Sequence, residues 1–276
     1  MLPSYLLTLR EGIEAALIVG MVLGALHKMR RPELVSAIWA GVLSAAAVSL
    51  IAAVALTSFG LSLEGEYEPI FEGVTLVLAA GVLTWMIFWM HKNSRHIKGE
   101  LENGVRQALV TTGKRGLFIL AFVAVVREGI ELALFLTASV FASNAAQTIV
   151  GAVLGFSTAI LLGWSLFATT VKLDLRRFFK VTGILLVLFA AGLVSLSIHE
   201  FNEVGWVPGI VEHVWNLTPI LSDESLLGQV LKTLFGYQPS PSLTSVIAYA
   251  FYFVAVGFGL RAAGKKQVQA PAQSQA

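Results

Sequence analysis

The chain contains no cysteine. Disulfides and thiolate-ligated metal sites are therefore excluded together. It is also poor in charge. Asp, Glu, Lys and Arg make up 13% of its 276 residues, against roughly 25% in a soluble globular domain. The net charge of +2 is too small to point to nucleic acid as a partner. No phosphate-binding loop of the Gly-x-x-x-x-Gly-Lys-Ser/Thr type occurs, so ATP-driven pumping by this chain alone is not supported. The N-terminus lacks the basic region of a signal peptide, and its apolar stretch runs on too long for one. It is expected to be a retained first span.

Apolar sequence is what the chain has in quantity. Hydrophobic residues reach 56%, and the mean hydropathy is +0.78. A helix needs about 20 mostly apolar residues to cross the bilayer core. Runs of that kind lie near Leu2–Leu26, Leu34–Phe59, Ile70–Met90, Leu117–Phe141, Thr148–Thr170, Phe178–Ser197 and Thr244–Leu260. The expectation is an all-α polytopic membrane protein with seven transmembrane helices.

The charge of the intervening loops alternates. Lys28, Arg30 and Arg31 fill the first, while Glu64, Glu66 and Glu68 fill the second without Lys or Arg. The third is basic from Lys92 to Arg115, and the fourth is a neutral turn at Asn144. Lys172, Arg176, Arg177 and Lys180 mark the fifth, and the sixth, about 199–243, is acidic. Basic loops face the cytoplasm, so the N-terminus is expected outside and the C-terminus inside. Residues 1–261 would form one transmembrane domain, with an external loop at about 200–243 and span seven at about 244–261. Residues 262–276, rich in Gln and Ala toward the end, would be a disordered cytoplasmic tail.

A nine-residue element occurs twice. Leu9-Arg10-Glu11-Gly12-Ile13-Glu14-Ala15-Ala16-Leu17 matches Val126-Arg127-Glu128-Gly129-Ile130-Glu131-Leu132-Ala133-Leu134. The first copy lies in a span that starts outside, the second in one that starts inside. Two inverted three-helix repeats follow, one about 1–91 and the other about 116–200, with the seventh helix left over. Transporters built this way hold their substrate near the midplane between the repeats.

Charges inside a span cost about 2.5–3.5 kcal/mol each on insertion scales, and each motif carries three. At about 100° per residue, Arg10, Glu11 and Glu14 share one helical face, as do Arg127, Glu128 and Glu131. Four carboxylates and two guanidiniums would meet where the two faces meet, leaving a deficit near −2. Glu11, Glu14, Glu128 and Glu131 are the candidate metal ligands, Glu14 and Glu131 the deepest, with Arg10 and Arg127 orienting them. Oxygen ligands select hard cations. Iron fits, particularly Fe(III), and Mn(II) or a heavy divalent metal such as Pb fits the same ligand type. A buried salt-bridge cluster holding helices in register is the plain alternative, but buried ion pairs give little net stability. A glutamate-based intramembrane enzyme is a further alternative. It would want a midspan His, and every His here lies at a span end or in a loop.

Secondary candidates for an access role are Glu68 and Glu72, i,i+4 at the outer start of span three, and His199 and Glu203, i,i+4 at the outer end of span six. Leu226 to Phe235 is an amphipathic stretch suited to lying on the membrane or docking a partner.

Through the two Arg-Glu-Gly-Ile-Glu motifs the chain resembles the oxidase-dependent iron permease family, and its bacterial branch in particular. Phe71-Glu72-Gly73, Leu83-Thr84-Trp85-Met86 and Phe235-Gly236-Tyr237-Gln238 extend the resemblance over nearly the whole chain. The family implies import of iron across the cytoplasmic (inner) membrane, with the motif glutamates binding the ion. It also implies periplasmic iron-binding or iron-oxidising partner proteins. Iron is then the transported substrate and no tightly bound cofactor is expected. The external acidic motifs of fungal members are matched only loosely, by Glu64–Glu72.

Overall fold

A computed structural model describes residues 1–93, 104, 107, 112–168, 175–222 and 225–268. Among these residues the fold is all-helical. The helices are α1 (Leu2–Lys28), α2 (Val35–Leu61), α3 (Tyr67–Asn93), α4 (Lys114–Ala142), α5 (Ala145–Ala168), α6 (Leu175–Glu203), the short α7 (Leu226–Phe235) and α8 (Leu243–Val268). The seven long helices coincide with the seven apolar runs. Five contain stretches apolar enough to cross a membrane: Pro32–Leu61, Tyr67–Met90, Ala145–Ser165, Arg177–Glu203 and Leu243–Arg261. The other two, α1 and α4, are as long, and they are the helices that the Arg-Glu motifs interrupt.

Local chemistry sets the ends. Proline in the first turn suits α1, because no helical acceptor exists there for its missing N–H. Asn144 starts α5 by accepting a hydrogen bond from the Gln147 amide at 3.0 Å. Ser225 does the same for α7 through the Gly228 amide, and Gly236 ends it in the left-handed region at φ 65°. Helix α8 runs on to Val268, past the expected end of span seven and into the segment expected to be a disordered tail. Residues 269–276 of that tail, and most of the third and fifth loops, lie outside the described residues.

The chain packs as two compact units. The first holds residues 1–64 and 95–184, hence α1, α2, α4, α5 and the start of α6. The second holds 65–94 and 185–276, hence α3, the rest of α6, α7 and α8. The first two helices of each expected repeat thus fall in one unit, and the third of each belongs mainly to the other.

In the first unit α1 packs chiefly on α5, and α2 on α4. Glycines set both approaches. A Cβ at Gly12 would stand 2.6 Å from the Ala159 methyl, and one at Gly129 would overlap the Ser49 hydroxyl. A Cβ at Gly41 would stand 2.6 Å from the Phe118 carbonyl, and one at Gly151 would overlap that of Met1. The shift that carries Gly12 onto Gly129 also carries Met1 onto Phe118. The shift that carries Ser49 onto Ala159 likewise carries Gly41 onto Gly151. The two helix pairs therefore use one contact register twice.

These contacts also fix direction. Helix α5 begins directly after α4 ends and, near its start, lies on Met1, so the start of α1 and the end of α4 share one end of the unit. Helix α2 follows α1 and lies on Phe118 near the start of α4, so the opposite termini share the other end. Helices α1 and α4 run antiparallel.

In the second unit, Gly73 of α3 admits the Phe201 ring of α6, and Gly192 of α6 meets the backbone at Gly236. Gln238 reaches the Ser195 carbonyl at 3.3 Å, and Thr84 bonds the Tyr252 hydroxyl of α8 at 2.8 Å. The segments at 71–73, 83–86 and 235–238 that carry part of the family resemblance hold this unit together.

Candidate metal centre

Because α1 and α4 run antiparallel with their motif faces in reach, glutamates from both copies converge. One carboxylate oxygen each from Glu11, Glu128 and Glu131 lies within 4.8 Å of the others. Oxygens on a single ion stand no farther apart than twice the metal–oxygen bond, about 4.2–4.8 Å for bonds of roughly 2.1–2.4 Å. The three could close on one cation with side-chain shifts under about 1 Å, judged by those same bond lengths.

The guanidiniums divide unequally. Arg10 Nε donates to Glu14 Oε1 at 3.0 Å, i,i+4 along α1, and the pair is nearly closed off from solvent. Arg127 Nε donates to Glu131 Oε1 at 3.1 Å and stands 3.9 Å from Glu128 Oε1. Arg10 is 2% exposed, whereas Arg127 is 40% exposed. The fourth motif glutamate, Glu14, is within electrostatic range of Glu131, but it is Arg10's partner and not part of the three-carboxylate group.

Both oxygens of Glu11, and one each of Glu128 and Glu131, are buried without a hydrogen-bond donor. Unpaired buried charge is among the costliest features a fold can carry. With Arg10 and Glu14 neutralising each other, three ionised carboxylates against Arg127 leave a formal charge of −2. Such a centre suits a divalent cation bound through hard oxygen ligands. Breaking the buried Arg10–Glu14 pair should be costly in its own right. Arg10→Leu is expected to destabilise the protein in detergent by about 3–5 kcal/mol, and Arg127→Leu by clearly less, since Arg127 keeps solvent contact.

The secondary candidates gather in the second unit. Glu72 of α3 lies within electrostatic range of Glu68, of Glu200 and Glu203 of α6 and of Lys232 of α7, and Glu68 within range of Glu200. His199 Nε2 stands 3.5 Å from Glu203 Oε1, with both side chains largely open to solvent. Glu200 was not among the sequence candidates. The i,i+4 spacing singles out its neighbour His199 with Glu203, and only the packing of α6 beside α3 brings Glu200 near Glu72.

Long apolar helices around a buried carboxylate group define a multi-pass membrane protein of the ion-transporter kind. Residues 1–266 match the iron permease FTR1 family. The chain is 36% identical over 256 residues to the ferrous iron permease EfeU of Escherichia coli O6:K15:H31, covering 92% of this chain and 93% of that protein. The EfeU ferrous iron permease of Shigella sonnei matches equally, and that of Yersinia pestis is 36% identical with 92% and 91% covered. No solved structure matches. The chain belongs to the iron permease FTR1 family and is a multi-pass protein of the inner membrane. Its relatives are named as permeases, not enzymes.

Proposed function

We propose that the chain imports Fe(II) across the cytoplasmic membrane through a single site made by Glu11, Glu128 and Glu131. The observation that carries this reading is the convergence of three carboxylates from the two motif copies, each with at least one buried oxygen that lacks a donor, and with a net formal charge of −2. Fe(II) brings that charge to zero, whereas Fe(III) would leave an excess positive charge in a buried site. The charge count thus favours the ferrous ion over the ferric ion weighted in the sequence reading, in accord with the names of the relatives.

Seven spans, with the N-terminus outside and two inverted three-helix repeats, form the frame. Support comes from the alternating loop charge, the antiparallel run of α1 and α4, and the doubled contact register of α1–α5 and α2–α4. Inward movement of a divalent ion along a negative-inside potential gains about 4.6 kcal/mol per 100 mV, at about 2.3 kcal/mol per charge. The potential alone is a sufficient drive. Arg10 pairs with ionised Glu14 and cancels its charge, and Arg127 holds Glu131 and Glu128 in place until the ion arrives. The acidic group of Glu68, Glu72, Glu200 and Glu203 raises the local cation concentration. A periplasmic protein that binds or oxidises iron is a partner suited to the external loop.

Proteoliposomes bearing an inside-negative potential test the reading. Labelled Fe(II) is expected to accumulate, faster than Fe(III), with Mn(II) and Pb(II) competing only weakly. Faster uptake of Fe(III) or of Mn(II) would assign the site to a different cargo.

A further inference from the structure

Serine and threonine in an apolar helix ordinarily donate to the carbonyl four residues earlier. Ser49, Thr84, Thr137, Ser157, Thr158 and Thr182 all do so here. Thr8 and Ser139 do not. Both are buried to 2% exposure or less, and neither hydroxyl has a hydrogen-bond partner. Every other buried unpartnered side-chain polar atom among the described residues of the first unit belongs to Arg10, Glu11, Glu128 or Glu131.

The two hydroxyls are placed coherently. Helical geometry sets Thr8 about 60° from Glu11 around α1, and Ser139 about 20° from Glu128 around α4. Thr8 lies about 4.5 Å along the axis from Glu11, and Ser139 about 16 Å from Glu128. Because α1 and α4 are antiparallel, both displacements point to the same end of the unit, where Met1 and Ala142 lie. Toward the other end the same faces bury only apolar side chains. Val22 and Leu26 of α1 cluster there with Ile38, Leu117 and Ala121. Fully buried Phe135 shares the face between Ser139 and Glu128.

We propose that Thr8 and Ser139 line the path by which the cation reaches the three glutamates from the outer side, with Phe135 as the ring it must pass. Each hydroxyl oxygen offers a hard ligand that replaces part of the ion's hydration shell in transit. A hydroxyl tied to its own helix would offer less, and one without a partner in an apolar span costs free energy. The inference rests on the proposed import through Glu11, Glu128 and Glu131.

The absence of cysteine makes a direct test possible. Single Thr8→Cys, Ser139→Cys and Leu117→Cys variants are treated with a membrane-impermeant methanethiosulfonate reagent in right-side-out vesicles. Thr8→Cys and Ser139→Cys are expected to be labelled, more slowly when Fe(II) is present, while Leu117→Cys stays unlabelled. Both thiols as inert as that of Leu117→Cys would overturn the proposal. In parallel, Thr8→Val and Ser139→Ala are expected to slow Fe(II) uptake about tenfold, the loss of one good ligand interaction. Equilibrium Fe(II) binding by the purified protein should be retained, whereas uptake at the unmodified rate would again overturn the path. If Glu11→Gln and Glu128→Gln leave Fe(II) binding intact, the glutamate site itself fails and takes the path with it. If they abolish binding while both thiols stay inert, only the path fails.

Discussion

Glu11→Gln should abolish iron uptake and at the same time make the protein more stable. Glu11 is buried, both of its oxygens lack a donor, and the neighbouring Arg10 gives its Nε to Glu14 and no hydrogen bond to Glu11. Its charge is held against its own desolvation and against Glu128 and Glu131. Glutamine keeps the shape and removes the charge. Relieving an uncompensated buried carboxylate is worth on the order of 1–4 kcal/mol by analogy with buried ion groups replaced by neutral ones. At about 2–4 °C per kcal/mol for a chain of roughly this size, the melting temperature of the metal-free protein in detergent should rise visibly. Uptake, in contrast, loses a direct ligand. Changes one shell farther out typically cost 10–100-fold in metal affinity, so a loss of at least about 100-fold is expected. A salt-bridge cluster serving only structure would give the opposite pair of results: uptake kept, stability lost.

A second large effect concerns the approach of α1 to α5. Gly12→Ala places a methyl where the Ala159 methyl already stands, at 2.6 Å. Overpacking of this kind costs about 1–3 kcal/mol, occasionally more. Here it also displaces α1 from α5, and Glu11 with it, relative to the two glutamates of α4. Uptake should fall by about tenfold or more, since misplacement of a ligand by about 1 Å is enough for a loss of that order. Ala159→Gly alone should be mild. Combined with Gly12→Ala it moves the methyl from one helix to the other and should restore both melting temperature and uptake. Contacting residues couple by about 0.5–3 kcal/mol in such cycles, so additive effects of the two substitutions would mean that this contact does not position Glu11.

Much of this arrangement was legible before any coordinates. The seven apolar runs became the seven long helices, because a bilayer-length run of Leu, Val, Ala and Ile has few alternatives to a helix. The i,i+4 spacing in each motif put Arg10 on Glu14 and Arg127 on Glu131, both observed at hydrogen-bond distance. The amphipathic stretch Leu226 to Phe235 became α7 with the same bounds, since Ser225 and Gly236 cap it.

Local pattern could not say how the motif faces would be rotated against each other. That is decided by Gly12 on Ala159 and Gly129 on Ser49, pairs far apart in sequence. They turn Glu11 toward Glu128 and Glu131 and leave Glu14 with Arg10, a division of roles that four glutamates on two like faces could not show. The unequal exposure of Arg10 and Arg127 has the same origin. Two identical motifs cannot reveal from sequence which copy is the more enclosed. The start of α3 at Tyr67 is a smaller case. It draws Glu68 and Glu72 into the first turns of the helix, beside Glu200, where the hydropathy run alone began at Ile70.

The central claim is one divalent ion held by oxygens from both motif copies. Equilibrium dialysis of the purified, detergent-solubilised protein against labelled Fe(II) tests it most directly. Binding of one ion per chain is expected, lost alike in Glu11→Gln of α1 and Glu128→Gln of α4. Two independent ions per chain, with each substitution removing only one, would contradict it.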